Sequence, residues 1–274
     1  MSASVPPLQL AVFGDPIEHS RSPELHRHFA AATGLDIDYR RIRSSAAELP
    51  QKLQAFRATG GVGANITVPL KQTVMALCSQ LQPAAQRAAA VNTLCHDGDG
   101  WIGNNTDGIG LVQDLQDKDI KLHGARVLII GAGGATRGIV PALLDAGCAR
   151  ILIANRSPAR AQALIAAGND ARLAASALQW DYREHFDLLI HATAAGHQQA
   201  QLPLPERLQG QPCCYDLSYG EASKAFSRWA TMLGCMHHDG LGMLVAQAAV
   251  SFQLWTGQKI NHKLRADLIQ QLQR

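Results

Sequence analysis

Two polar side chains stand at the ends of strand-like segments, where they could carry proton chemistry. Lys71 closes N-I-T-V-P-L-K, and Asp107 closes N-N-T-D. An ammonium can protonate a developing alkoxide, and a carboxylate can hold that ammonium in place. Each residue also has a plainer reading: a surface lysine that starts a helix, and an aspartate that caps one. Ser20 and Ser22, in H-S-R-S-P-E, could grip a carboxylate through their hydroxyls and the adjacent helix amides. For Ser22 simple N-capping is the alternative, with Pro23 at the first helical position.

A third stretch, R-V-L-I-I-G-A-G-G-A-T-R (126–137), reads as a buried strand, a glycine turn and a helix start near Ala135. Such a turn lets backbone and helix amides approach a nucleotide pyrophosphate. The fingerprint is incomplete, because Thr136 occupies the third glycine position. A second strand, Ile151 to Ala154, ends in Asn155-Arg156-Ser157. NAD enzymes place an acid at this point for the ribose hydroxyls. Here no carboxylate would repel a 2′-phosphate, and Arg156 can pair with one, aided by Arg160 one helical turn on. This points to NADP. Thr193 and Gly196 end a further strand on the same edge, which a core-and-turn role would also explain.

The elements that must position these groups alternate. The pattern predicts a strand over 8–13, a helix from Ser22 stopped by Gly34, a strand over 37–43, a helix over 48–58 and a strand from Gly63 ending by Pro69. Helices at 72–79 and 83–89, strand 91–96 and a connecting helix over 107–117 follow. The second half repeats strand and helix: a helix to Gly147 with Pro141 inside, Ser157 capping the next, strands 186–192 and 213–217, and a helix over 222–234. The strongly apolar M-L-V-A-Q-A-A-V-S-F-Q-L-W helix comes last. An α/β fold is expected, with a substrate-binding α/β domain (1–106 and 241–274) and a Rossmann-type doubly wound domain (107–240) that includes the connecting helix.

Composition excludes several classes. The chain has 274 residues, a net charge of +3 and no lysine or arginine block, so nucleic acid is not an expected partner. The first ten residues do not read as a secretion signal, and no apolar run is long enough to span a membrane. Six scattered cysteines without C-x-x-C spacing suggest reduced thiols in a cytoplasmic protein. The histidine pairs lack the i, i+4 spacing of a helical metal site, and no metal is expected.

Together, G-D-P-I-E-H-S-R-S-P (14–23), G-A-N-I-T-V-P-L-K (63–71), A-V-N-T-L (90–94), N-T-D-G-I-G (105–110), G-A-G-G-A-T-R-G, N-R-S and D-G-L-G-M-L-V-A-Q-A-A (239–249) resemble the signatures of shikimate dehydrogenases. The resemblance runs from about residue 10 to 257. It implies NADPH-dependent reduction of 3-dehydroshikimate to shikimate in aromatic amino-acid biosynthesis, by a monomer or homodimer. A quinate-accepting or cofactor-relaxed relative and a non-catalytic nucleotide-binding relative are the alternatives. The resemblance makes Lys71 the proton donor or acceptor, with Asp107 paired to it. Ser20 and Ser22 would hold the substrate carboxylate, assisted by Tyr219, while Thr67, Asn92 and Gln247, along with Lys71 and Asp107, would contact ring hydroxyls. Gly131, Ala132, Gly133, Gly134, Ala135, Asn155, Arg156, Ser157, Arg160, Thr193, Leu217 and Gly240 would line the cofactor. There are departures. His191 replaces the family's usual Asn, Ala194-Ala195 replace hydroxyl residues, Leu217 stands where Met is common, and the loop 219–224 lacks a proline-threonine element.

Overall fold

The computed structural model describes residues 6–193 and 204–273. Two compact units form, one from residues 1–110 with 245–274 and the other from 111–244. In the first, the elements run β1 (Leu8–Gly14), α1 (Ser22–Thr33), β2 (Ile37–Arg43), α2 (Leu49–Ala58), β3 (Gly61–Ile66), β4 (Cys78–Leu81), α3 (Pro83–Ala88), β5 (Thr93–His96) and β6 (Trp101–Asn104). The helix α4 (Asp107–Asp117) leaves this unit. Its sheet has the order β2-β1-β3-β5-β6-β4. Strand β1 is parallel to β2 and β3, whereas β5 is antiparallel to both β3 and β6. The carboxyl ends of β1, β3 and β6 therefore share one edge with the start of β5, and the segments carrying Ser20, Lys71, Asn92 and Asp107 all leave from it.

The second unit contains β7 (Arg126–Ile130), α5 (Gly134–Asp145), β8 (Arg150–Asn155), α6 (Pro158–Gly168), β9 (Leu173–Ala177), β10 (Asp181–His185), β11 (Leu188–His191), β12 (Arg207–Gln209), β13 (Cys213–Asp216), α7 (Lys224–Met232) and β14 (His237–His238). Its main sheet, β14-β13-β11-β7-β8-β9, is parallel throughout, the expected doubly wound arrangement. Val127 to Ile130 and Leu188 to Ile190 are fully buried, as continuous apolar runs must be when helices cover both faces of a sheet. Strands β10 and β12 form a separate two-stranded sheet. Helix α8 (Leu241–Thr256) starts in this unit and returns to the first, where α9 (His262–Leu272) ends the described chain. Among the described residues no helix is long and apolar enough to cross a membrane.

Three local expectations change. Ser22 is not the N-cap: α1 begins at Ser22 itself after Arg21, with no side-chain cap, because the Ser22 hydroxyl pairs with Ser20 instead. The helix expected over 72–79 is a short 3-10 turn, Thr73–Leu77, followed by β4, because pairing with β6 draws Cys78–Leu81 into the sheet. The helix expected over 222–234 opens as a 3-10 turn at Gly220–Ser223 before α7. Ala194, Ala195 and Gly196 lie outside the described residues.

Candidate active site and cofactor cradle

Lys71 arrives at its place on a stitched loop. Thr67 N–H donates to Phe13 C=O at 2.9 Å, Asp15 N–H to Val68 C=O at 3.0 Å, and Val91 N–H to Lys71 C=O at 2.8 Å. The Asp15–Pro16 and Val68–Pro69 bonds are both cis. Asp107 opens α4, but it does not cap that helix, since Asn105 Oδ1 accepts the Asp107 N–H at 3.1 Å. Its carboxylate is thereby free to meet Lys71 Nζ at 2.5 Å. The two side chains are only 14% and 7% exposed, so water competes little for the pair.

Asp107 is itself held. Asn92 Nδ2 donates to Asp107 Oδ1 at 2.8 Å. The backbone N–H of Thr106, which can only donate, points at Asn92 Oδ1 at 2.8 Å and so fixes which way the amide faces. Thr93 Oγ1–H adds a second donor to Asn92 Oδ1 at 2.9 Å. Gln247 Oε1 lies 3.4 Å from Asn92 Nδ2 and 3.3 Å from Thr106 Oγ1. Gln247, expected to contact a ring hydroxyl, is thus brought beside Asn92, whose amide holds Asp107. Gly110 lets α8 come this close, because a Cβ there would sit 2.7 Å from Gln247 N.

Behind this layer runs a polar network whose role was not read from the sequence. Asn65 Oδ1 accepts from Tyr39 Oη at 2.7 Å and faces His26 Nε2 at 3.2 Å. Its Nδ2 faces Asn92 C=O, Thr93 Oγ1 and Ser251 Oγ at 3.2–3.4 Å. Ser251 Oγ in turn meets Thr93 and Thr106 hydroxyls at 2.8 and 3.2 Å. Burial pushes His26 down to about 3, so its imidazole is neutral and can stack 4.6 Å from Tyr39. The signal was present in the sequence: polar residues at 65, 93 and 251 interrupt otherwise apolar elements.

The other expected substrate residues are arranged as follows. Ser20 Oγ donates to Ser22 Oγ at 3.2 Å, and Arg41 grips the Ser20 carbonyl at 2.6 and 2.9 Å. Thr67 is half-buried beside Gly14, where a Cβ would lie 2.4 Å from the Thr67 methyl. Tyr219 belongs to the second unit, directly before the turn Gly220–Ser223.

In the second unit the expected cofactor residues gather at the carboxyl ends of neighbouring strands β8, β7, β11 and β13. Gly131 has φ +118°, and a Cβ there would lie 2.7 Å from Ala192 O. Only glycine fits. Thr136 Oγ1 donates to Gly131 C=O at 2.9 Å and closes the turn, which is why a third glycine is not needed. A Cβ at Gly133 would meet nothing within 4 Å, so the turn is open where a ligand would approach. Helix α5 starts at Gly134 and Ala135 with no side-chain cap, leaving its first amides to face an anion. Ala132 beside them is half-buried. Asn155 Nδ2 donates to Ser157 C=O at 2.9 Å, and Arg156 and Arg160 are exposed beside it. Thr193 and Leu217 follow β11 and β13, and Gly240 N–H donates to Ser218 C=O at 2.9 Å. A Cβ at Gly240 would lie 2.3 Å from Leu217 O. An open glycine turn, an uncapped helix start and two exposed arginines without an acid suit a dinucleotide bearing a 2′-phosphate.

Comparison with known proteins agrees along the chain. The model of the shikimate dehydrogenase substrate binding domain matches residues 12–94, that of shikimate / quinate 5-dehydrogenase 113–204, and that of the shikimate 5′-dehydrogenase C-terminal domain 240–264. A shikimate dehydrogenase (NADP(+)) of Alkalilimnicola ehrlichii is 48% identical over 252 residues, covering 90% of this chain and 93% of that protein. The structure of shikimate 5-dehydrogenase from Thermus thermophilus, in complex with NADP(H) and shikimate, superposes with a TM-score of 0.83 at 31% identity, covering 96% and 99% of the two chains. A 5-ketofructose reductase of Gluconobacter sp. has the same TM-score, 0.83, at 28% identity and coverage of 97% and 99%.

Proposed function

The chain belongs to the shikimate dehydrogenase family, and from that premise we propose that it catalyses the reversible NADPH-dependent reduction of 3-dehydroshikimate to shikimate. The observation that carries this reading is the Lys71–Asp107 pair, 2.5 Å apart, with the second oxygen of Asp107 held by Asn92. The reduced nicotinamide supplies the hydride, so the protein's own task is to bind, orient and move one proton. Lys71 Nζ delivers that proton to the oxygen of the carbonyl as it becomes an alkoxide, and takes one back in the reverse direction. Asp107 holds the ammonium in place and, with both oxygens engaged, has no freedom to turn away from it.

The first unit takes the substrate and the second the cofactor. Ser20 and Ser22 hold the carboxylate, and Thr67, Asn92 and Gln247 sort the ring hydroxyls. In the second unit Arg156 and Arg160 take the 2′-phosphate, and the amides after Gly133 take the pyrophosphate. The reading is of a cytoplasmic enzyme acting on a small acid. A fold shared with a ketosugar reductase does not select the substrate. The paired serines and the 48% identity to a shikimate dehydrogenase favour the cyclic acid. Initial rates with shikimate or quinate, each with NADP or NAD, test the proposal. Shikimate with NADP should be preferred, and a preference for quinate or NAD would overturn it.

A further inference from the structure

The second unit contains a buried imidazole–carboxylate couple that the proton chemistry does not use. His191, at the end of β11, and Asp216, at the end of β13, are 0% and 1% exposed in their side chains. Asp216 Oδ1 already accepts the Ser218 N–H at 3.0 Å and lies 2.9 Å from His191 Nδ1. An oxygen that accepts fixes Nδ1 as the donor and leaves Nε2 to meet Thr193 Oγ1 at 2.7 Å. The ring stacks on Phe226, centroids 5.4 Å apart. His191 C=O also accepts the Leu217 N–H at 2.9 Å. Thr193 abuts the glycine turn, since a Cβ on Gly131 would come within 3.1 Å of its methyl. One imidazole therefore ties together the residue beside the turn, the end of the neighbouring strand and a buried carboxylate.

We propose that His191 is a positioning residue for the nicotinamide end of the cofactor, acting through the Thr193 hydroxyl and oriented in turn by Asp216. The proposal rests on the NADP reading above. Adenosine and its phosphates are handled by Gly131–Ala135 and Asn155–Arg160, none of which His191 touches through its ring nitrogens. His191 and Thr193 leave β11, on the side of β7 away from β8 and Asn155–Arg160, so the influence of the Thr193 hydroxyl should fall on the other end of the dinucleotide.

Two substitutions separate the two bonds. The amide nitrogen of asparagine sits where Nδ1 of histidine does, so His191→Asn can keep the Asp216 bond but cannot reach Thr193. The amide nitrogen of glutamine matches Nε2, so His191→Gln can keep the Thr193 bond but leaves the carboxylate of Asp216 with the Ser218 N–H alone. Burial makes that loss costly, because Asp216 Oδ2 has no hydrogen-bond partner among the described residues. The experiment is calorimetric binding of NADPH and of adenosine 2′,5′-bisphosphate, which lacks the nicotinamide, to the full chain, with thermal unfolding of each variant alongside. His191→Asn and Thr193→Val should each weaken NADPH about tenfold, the scale of one well-placed hydrogen bond. They should leave the bisphosphate within about twofold, since no phosphate contact changes. His191→Gln should lose less NADPH affinity than His191→Asn yet unfold at a lower temperature. Equal losses of both ligands, or unchanged NADPH affinity in His191→Asn or Thr193→Val, would overturn the proposal. Failure of the unaltered protein to bind either ligand would instead remove the NADP reading on which it stands.

Discussion

Replacing His26 with glutamine should flatten the acid limb of the protein's stability curve. His26 is fully buried, and burial lowers it from the ordinary 6.5 to about 3. As pH falls below 6.5 the unfolded chain takes up a proton at this site, while the folded chain does not until about pH 3. Because the unfolded state binds more protons in that window, stability is present above 6.5 and is lost as pH falls. The loss is about 1.4 kcal/mol per pH unit, hence roughly 1.4 kcal/mol between pH 7.5 and 5.5 from this residue. Glutamine does not titrate, and its amide can still donate to Asn65 Oδ1 where His26 Nε2 stands at 3.2 Å. Losing the stack on Tyr39 lowers stability by the same amount at every pH, so the slope is the informative quantity. Urea titrations of both proteins at pH 7.5, 6.5 and 5.5 measure it. Two parallel lines across this range would refute the reasoning, because they would mean that His26 takes up its proton equally in the folded and unfolded chain.

Lys71→Ala should lower turnover by at least ~100-fold, the usual scale for a general acid–base group, with little change in the shikimate KM. Steady-state kinetics check this, and unchanged turnover would remove Lys71 from the mechanism. Arg156→Ala should weaken NADP far more than NAD in direct binding, whereas equal losses would contradict the 2′-phosphate assignment. Gly131→Ala places a Cβ 2.7 Å from Ala192 O at a φ of +118°. It should lower both the unfolding temperature and NADPH affinity, measured by thermal denaturation and fluorescence titration, and a variant unchanged in both would show that the turn tolerates a side chain.

What could be read in the sequence was whatever is local. The glycine turn at 131–134, the arginine after β8 and the start of α4 at Asp107 depend on neighbours within a few residues, and those neighbours are visible in the chain. Thr136 was legible as a gap in the fingerprint. Its compensating bond to Gly131 C=O was not, since that requires the turn's three-dimensional path. The Asn65 network escaped for a related reason. Tyr39, Asn65, Thr93 and Ser251 come from β2, β3, β5 and α8, and Asn65 and Ser251 are separated by 186 positions. Ser22 shows the expected cap losing to another partner, because its hydroxyl answers to Ser20, two residues before it, rather than to its own helix. The segment 72–79 shows the same with strand pairing, where β6 takes Cys78–Leu81 that local pattern assigned to a helix. His191 was visible as an unusual residue. Its meaning depended on Asp216, 25 positions later on the next strand but one in chain order.

The Lys71–Asp107 pair is expected to carry the interconversion of shikimate and 3-dehydroshikimate with NADP. Absorbance at the reduced-nicotinamide band, recorded with purified protein, shikimate and NADP, tests it most directly. Steady NADPH formation is expected, lost in Lys71→Ala, with slower reduction of NAD or oxidation of quinate. No NADPH formation from shikimate, or an undiminished rate in Lys71→Ala, would contradict it.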